Sequence, residues 1–154
     1  MLKNTDRVRK SALNFLKSGY YTEALPGTKD YYDFWDGEKD KCLYGYKADE
    51  GTSDELHITG FHYFYLNYCP IDRAIDEVMP DGTIQARRER TFPAFYDGDH
   101  EYFHEIEIAR TNNKHMIVLK ARRKGYSYKA GSMLARNYFF VKNSKNFVFA
   151  GQKE

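Results

Sequence analysis

The chain has 154 residues, 42% of them hydrophobic and 30% charged, with 14 Tyr and 11 Phe, a length and composition that fit one globular domain and exclude a disordered tail. No eighteen or so apolar residues run together, and MLKNTDRVRK at the start has no apolar stretch behind it, so neither a membrane span nor a signal peptide is expected and a cytoplasmic location is the default. The net charge of +2 hides an asymmetry: residues 1–109 hold 13 Lys and Arg against 21 Asp and Glu, whereas residues 110–154 hold 11 against 1. So basic a last third calls for nucleotide phosphates, a nucleic acid backbone, or docking on the acidic first part.

Asp6 to Ser18 places Val8, Leu13, Phe15 and Leu16 at loosely helical spacing before Gly19, which predicts a short helix with a glycine stop. Residues 20–60 scatter Pro26, Gly27, Gly37, Gly45, Gly51 and Gly60 among aromatics and acids and read as loop-rich ground with two short strands. Cys42 and Cys69 are far apart and lack a C-x-x-C partner, so reduced, packed thiols are expected and a zinc ribbon is not. FHYFYLNYCPI, residues 61–71, is β-prone, and Asp81-Gly82 signals a turn before TIQARRERTF, so a hairpin is predicted across that turn.

From Asp99, as N-cap, the spacing of Tyr102, Phe103, Ile106 and Ala109 predicts a helix ending near Thr111. HMIVL (115–119), a basic loop, a helix with Ala130, Met133, Leu134, Tyr138 and Val141 on one face, and NFVFAG (146–151) then read as strand, loop, helix, strand. Both apolar runs suit parallel strands buried on both faces, with the helix as their crossover. The fold class expected is therefore α/β, a truncated P-loop NTPase core preceded by an aromatic, loop-rich α+β lead-in. The expected division is 1–60 for the lead-in and 61–154 for the start of the ATPase domain.

Lys120 to Ser127 reads KARRKGYS, against G-x-x-x-x-G-K-[ST] for a standard phosphate loop. Gly125 takes the second glycine position and Ser127 the hydroxyl position, but Tyr126 stands where the lysine belongs and Lys120 stands at the first glycine. A loop that folds back on itself lets a lysine at its head reach the phosphates served by one at its end. Gly125 permits close backbone approach, the following helix offers oriented N–H groups, and Arg122, Arg123 and Lys124 add positive charge. A basic turn that merely faces solvent is the competing reading.

Lys120, Arg123, Gly125, Tyr126 and Ser127 resemble the variant Walker A loop of the large terminase subunits of tailed phages, in which the lysine has moved to the head of the loop. The runs Ile58–Ile71, Phe34–Tyr46 and Phe92–Phe103 resemble the lead-in of that family, so the resemblance covers about residues 34–154. It implies an ATP-driven motor that packages and cuts viral DNA in the host cell cytoplasm, with ATP and Mg²⁺ as cofactors. The implied partners are double-stranded DNA, the phage portal and the small terminase subunit, around a homo-oligomeric ring. Lys120 is thereby expected to contact the β- and γ-phosphates, Gly125 and Tyr126 to supply loop backbone, and Ser127 to ligate Mg²⁺. Arg122 or Arg123 would add phosphate contacts, Lys124 positive charge, and the adenine would stack near Phe92 or Phe95.

A P-loop ATPase also needs a Walker B strand ending in acids, and after residue 110 the only acid is Glu154. The carboxylate cluster of the nuclease domain is likewise missing. The expectation is an N-terminal fragment that cradles phosphate, holds no catalytic residue, and does not hydrolyse ATP alone.

Two other readings compete with the motor. His100, Glu101 and His104 match H-E-x-x-H, a zinc protease signature, but Glu107 and Arg110 stand where a metzincin has Gly and His, and His115 opens a candidate strand. A polar helix face carrying two histidines explains the match as well. The basic last third could instead bind nucleic acid without catalysis, stacking bases on Tyr126, Tyr128 and Tyr138, although packing aromatics explain these tyrosines too.

Overall fold

The computed structural model describes residues 4–121 and 125–147. Its central element is the helix α3 (Gly60–Tyr68), whose residues from Gly60 to Asn67 are all buried. Thr59 caps it, its hydroxyl oxygen accepting the His62 N–H at 3.3 Å. The strand expected over residues 61–71 is thus corrected to a helix. A helix enclosed on every side shows no alternation of apolar and polar faces, and β-prone aromatics yield to packing there.

Four further helices pack around or beside it: α1 (Lys10–Ser18), α2 (Lys29–Tyr44), α4 (Asp97–Thr111) and α5 (Tyr126–Phe140). The first follows a 3-10 turn over Thr5–Val8 and ends, as expected, at Gly19 with φ 79°. Asn67, fully buried, fixes this N-terminal segment: its Nδ2 donates to the Val8 carbonyl at 2.9 Å and its Oδ1 accepts the Ala12 N–H at 3.2 Å. The second helix is a correction to the mostly loop-like reading of residues 20–60. Thr28 accepts the Tyr31 N–H at its start, Asp30 lies in its first turn and Gly45 closes it, a full set of start and stop signals.

Glu38 of α2 is 3% exposed and accepts hydrogen bonds from Ser11 Oγ at 2.8 Å, Tyr63 Oη at 2.8 Å, Lys41 Nζ at 2.6 Å and Tyr68 Oη. Burial pushes its carboxyl up, but the bonds from Lys41, Tyr68 and Tyr63 and the Lys41 charge outweigh it, and the net shift is downward. A buried carboxylate satisfied this fully joins three helices instead of serving as a proton donor.

Two small antiparallel sheets complete the described fold, which is mixed α and β. The strands β1 (Tyr46–Ala48) and β2 (Leu56–Ile58) are the two short strands expected in this region. The hairpin across Asp81-Gly82 is present too, but its first arm is β3 (Ile71–Val78), paired with β4 (Ile84–Thr91) from Ile71↔Thr91 to Val78↔Ile84. Gly82 takes φ 81°, and Asp81 Oδ1 accepts the Thr83 N–H at 2.9 Å. One core cluster joins Val8, Cys42 and Ile58 to Tyr63, Leu66 and Phe95, across residue 60.

The C-terminal part departs from expectation in four ways. Helix α4 begins at Asp97 with Tyr96 as N-cap, three residues before the expected N-cap Asp99. Residues 115–119 form no strand, and Ile117 and Leu119 are 89% and 95% exposed; a strand needs a neighbour, and the described residues provide none there. Asn146 and Phe147 are not in a strand either, and the rest of the expected 146–151 strand lies outside the described residues. Helix α5 forms, but it buries Lys129, Ser132 and Arg136. Ala130 and Val141 of the expected core face are exposed, and Tyr138 is 75% exposed.

Candidate functional site

Helices α4 and α5 begin beside each other, and a cleft of about 630 Å³ opens between their first turns and the segment 119–121. Gly98 and Asp99 of α4 with its N-cap Tyr96, and Tyr126 and Lys129 of α5 with its N-cap Gly125, line it, with Lys120 from that segment and Tyr65 from α3. Among the described residues, no side-chain hydrogen bond caps the N-terminus of either helix. Two helix N-termini therefore present the positive ends of their dipoles to one cavity, which favours an anion.

Two ammonium groups flank the same ring. Lys120 Nζ lies 5.7 Å and Lys129 Nζ 4.2 Å from the centroid of Tyr126, which in turn meets Tyr102 edge-on at 4.9 Å. Lys129 is 3% exposed and forms an ion pair with Asp99, whose side chain is 13% exposed. Burial pushes the Tyr65 phenol up, and nearby Asp99 adds to this, so that hydroxyl stays protonated and can donate. Gly125 takes φ 69°, and a Cβ there would come within 4.0 Å of the Tyr65 hydroxyl. Lys120, a second cation paired with Asp99, a neutral hydroxyl and two helix N-termini make a donor set that an anionic ligand can use.

A second hollow of about 450 Å³ adjoins the first and shares Lys120, Gly125 and Tyr126; Asp72 and Arg73 of the hairpin base and Ser127 and Tyr128 of α5 extend it. The Tyr128 hydroxyl accepts the Asp72 N–H at 3.4 Å, tying the hairpin to α5.

The expected loop residues thus divide into three groups. Lys120, Gly125 and Tyr126 meet in the main cleft, Ser127 lies in the adjoining hollow, and Arg122, Arg123 and Lys124 lie outside the described residues. Phe92 and Phe95, expected near an adenine, are 5% and 8% exposed. Phe92 packs against Phe15 and Tyr21, and Phe95 against His62 and His100, so neither ring offers a face to a ligand and that expectation is corrected. Lys129 and Asp99 are not part of the expected loop. Lys129 lies three residues after Tyr126, hence on the same helix face, while nothing local in sequence ties Asp99 to the loop.

The histidines of the H-E-x-x-H match stand one turn apart on α4, ring centroids 4.3 Å from each other, with His57 5.7 Å beyond His104 and His62 5.8 Å beyond His100. Among the described residues no three His, Cys, Asp or Glu side chains converge so as to hold a metal ion, and no third zinc ligand joins the pair. Ser127, the expected magnesium ligand, lines the adjoining hollow and not the main cleft. Both cysteines are free thiols, and burial pushes the Cys42 thiol up to about 12, which leaves it without nucleophilic character at neutral pH. Among the described residues no helix is long and apolar enough to cross a membrane.

Comparison with family models, with curated proteins and with solved structures finds no match to this chain.

Proposed function

We propose that the cleft between the first turns of α4 and α5 is a nucleotide phosphate site, and that the chain carries the nucleotide-binding loop of a terminase-type DNA-packaging ATPase with a P-loop core. One observation carries the reading: Lys120 at the head of the expected loop and Gly125 and Tyr126 at its end line one cleft at the N-terminus of the following helix. A lysine at the head of the loop then serves the phosphates that the residue at position 126, a tyrosine, cannot charge-pair.

In this reading the Lys120 ammonium neutralises the outer phosphates, the α5 N-terminus receives an inner one through backbone N–H groups, and the Ser127 hydroxyl is the magnesium ligand. ATP with Mg²⁺ is the ligand, and double-stranded DNA, a portal and a small terminase subunit are the partners of a ring-forming motor in the host cell cytoplasm. The described residues supply binding and orientation only. Asp99, the carboxylate that lines the cleft among the described residues, is engaged with Lys129 and is not assigned as the acid that polarises water.

The test is fluorescence titration of the 154-residue chain with a labelled ATP analogue and Mg²⁺, beside Lys120→Ala. Loss of affinity by at least about tenfold in the variant, with unchanged circular dichroism, is the expected result, a charge-assisted contact being worth about 1.5–3 kcal/mol. Equal affinity in the two proteins overturns the assignment. A polyanion surface would behave differently, losing DNA affinity steeply with salt and showing no preference for ATP.

A further inference from the structure

We infer that Lys129 is a second phosphate-binding cation of this cleft and that Asp99 is its built-in counter-ion, occupying Lys129 until a polyphosphate displaces it. The inference rests on the cleft being a phosphate site and adds a residue that the loop pattern does not contain.

The geometry carries it. Lys129 is almost wholly buried, yet its side chain borders the cleft instead of the apolar core, and so does Asp99. A buried ammonium and carboxylate are both costly to desolvate, and a pair that faces a cavity can exchange partners without opening the core. In a standard phosphate loop an amine stands where Tyr126 stands here. Tyr126 and Lys129 are one helical turn apart on one face, and the Lys129 ammonium lies 4.2 Å from the centre of the Tyr126 ring and 5.7 Å from that of Tyr102. The aromatic faces therefore hold a cation beside the position that the substitution left uncharged. Lys120 Nζ lies over the same Tyr126 ring, so one polyphosphate spanning the cleft meets both amines.

The ligand chemistry is a chain of phosphates near two helix N-termini. Asp99 opposes it, because its negative charge stands in the first turn of α4, where an anionic ligand would otherwise gain most from the dipole. Removing that charge while keeping the shape should weaken the hold on Lys129 and remove the repulsion of an anionic ligand.

Isothermal titration calorimetry with Mg·ATP, and separately with inorganic tripolyphosphate, decides the matter on the wild-type chain, Asp99→Asn, Lys129→Met and Lys120→Ala. The expected result is affinity raised at least about threefold by Asp99→Asn and lowered at least about tenfold by Lys129→Met. A nucleotide site favours Mg·ATP over tripolyphosphate and a bare phosphate site does not; the two substitutions act in the same directions in either case. Unchanged or weakened binding in Asp99→Asn overturns the inference, and this isosteric variant decides even if Lys129→Met fails to fold. Loss of binding in Lys120→Ala with no effect of Asp99→Asn or Lys129→Met removes Lys129 and Asp99 from the site but leaves the phosphate reading standing. Absence of binding in the wild-type chain and in Asp99→Asn removes both.

Discussion

The guanidinium of Arg136 lies over the ring of Phe61, its central carbon 4.6 Å from the ring centroid, while its Nε and Nη2 donate to the carbonyls of Cys42 and Leu43 at 2.9 Å each. Those carbonyls belong to the last turn of α2, where no intrahelical N–H remains to meet them. One side chain of α5 therefore closes the end of α2 and covers a core ring of α3, joining three helices at a point 4% exposed to solvent.

Arg136→Met is accordingly expected to cost about 2–3 kcal/mol, the range for losing hydrogen bonds from a charged donor and leaving buried acceptors unmet. Arg136→Lys should recover less than half of it, because one ammonium cannot bond two carbonyls and also lie flat on a ring. Urea denaturation of the parent and the two variants checks both statements. Equal midpoints for the parent and Arg136→Met would show that the carbonyls find water instead.

The same contact between α2 and α3 depends on an absent side chain. A Cβ added at Gly60 would fall 2.9 Å from the Cys42 carbonyl carbon, closer still to its oxygen, and 3.0 Å from the Leu43 carbonyl carbon. These are backbone atoms at a helix end and cannot turn aside. Gly60→Ala should therefore destabilise by about 1–3 kcal/mol, as overpacking does. Gly37, exposed in the interior of α2 with nothing within 4 Å of such a Cβ, is the control: Gly37→Ala should stabilise by about 0.5–1 kcal/mol. Thermal melting of the two variants reads both signs, and a Gly60→Ala protein as stable as the parent would disprove the close approach.

What sequence makes legible here follows from how local each signal is. The Asp81-Gly82 turn, the Gly19 stop and the helix after Gly125 depend on neighbours within a few residues, and all three are readable. The start and stop of α2 are equally local, in Thr28, Asp30 and Gly45, but Gly37 and the crowd of aromatics between them mask the helix. Helix α3 cannot be read by period, since a helix buried on all sides has none, and its aromatics point toward strand. In the cleft, Lys120, Gly125 and Tyr126 follow from loop spacing. Asp99 is thirty residues from Lys129 in the chain, and only the packing of α4 against the start of α5 brings them together. Lys129 draws no role from sequence because a lysine on a helix is ordinarily a solvated charge, whereas this one is buried by an acid and two tyrosines.

The His62 ring lies on Phe103, centroids 5.0 Å apart and planes at 20°, and is fully buried; among the described residues neither of its nitrogens has a hydrogen-bond partner. Burial holds its pKa well below 6.5, and the nearby His100, His104 and Lys129 add to the effect. Between that depressed value and 6.5 the unfolded chain binds a proton that the folded chain refuses. Stability is therefore fully present above about pH 6.5 and lost as the pH falls below it, by up to about 1.4 kcal/mol per pH unit for this one group. Burial lowers His57 and His100 in the same direction, so these two rings should add to the weakening of the fold in acid. His62→Phe keeps the stacked ring and removes the titrating nitrogens. Melting temperatures measured from about pH 8 to about pH 5 should fall below about pH 6.5 in the parent and fall less steeply in His62→Phe. Identical slopes in the two proteins would assign the acid sensitivity to other groups.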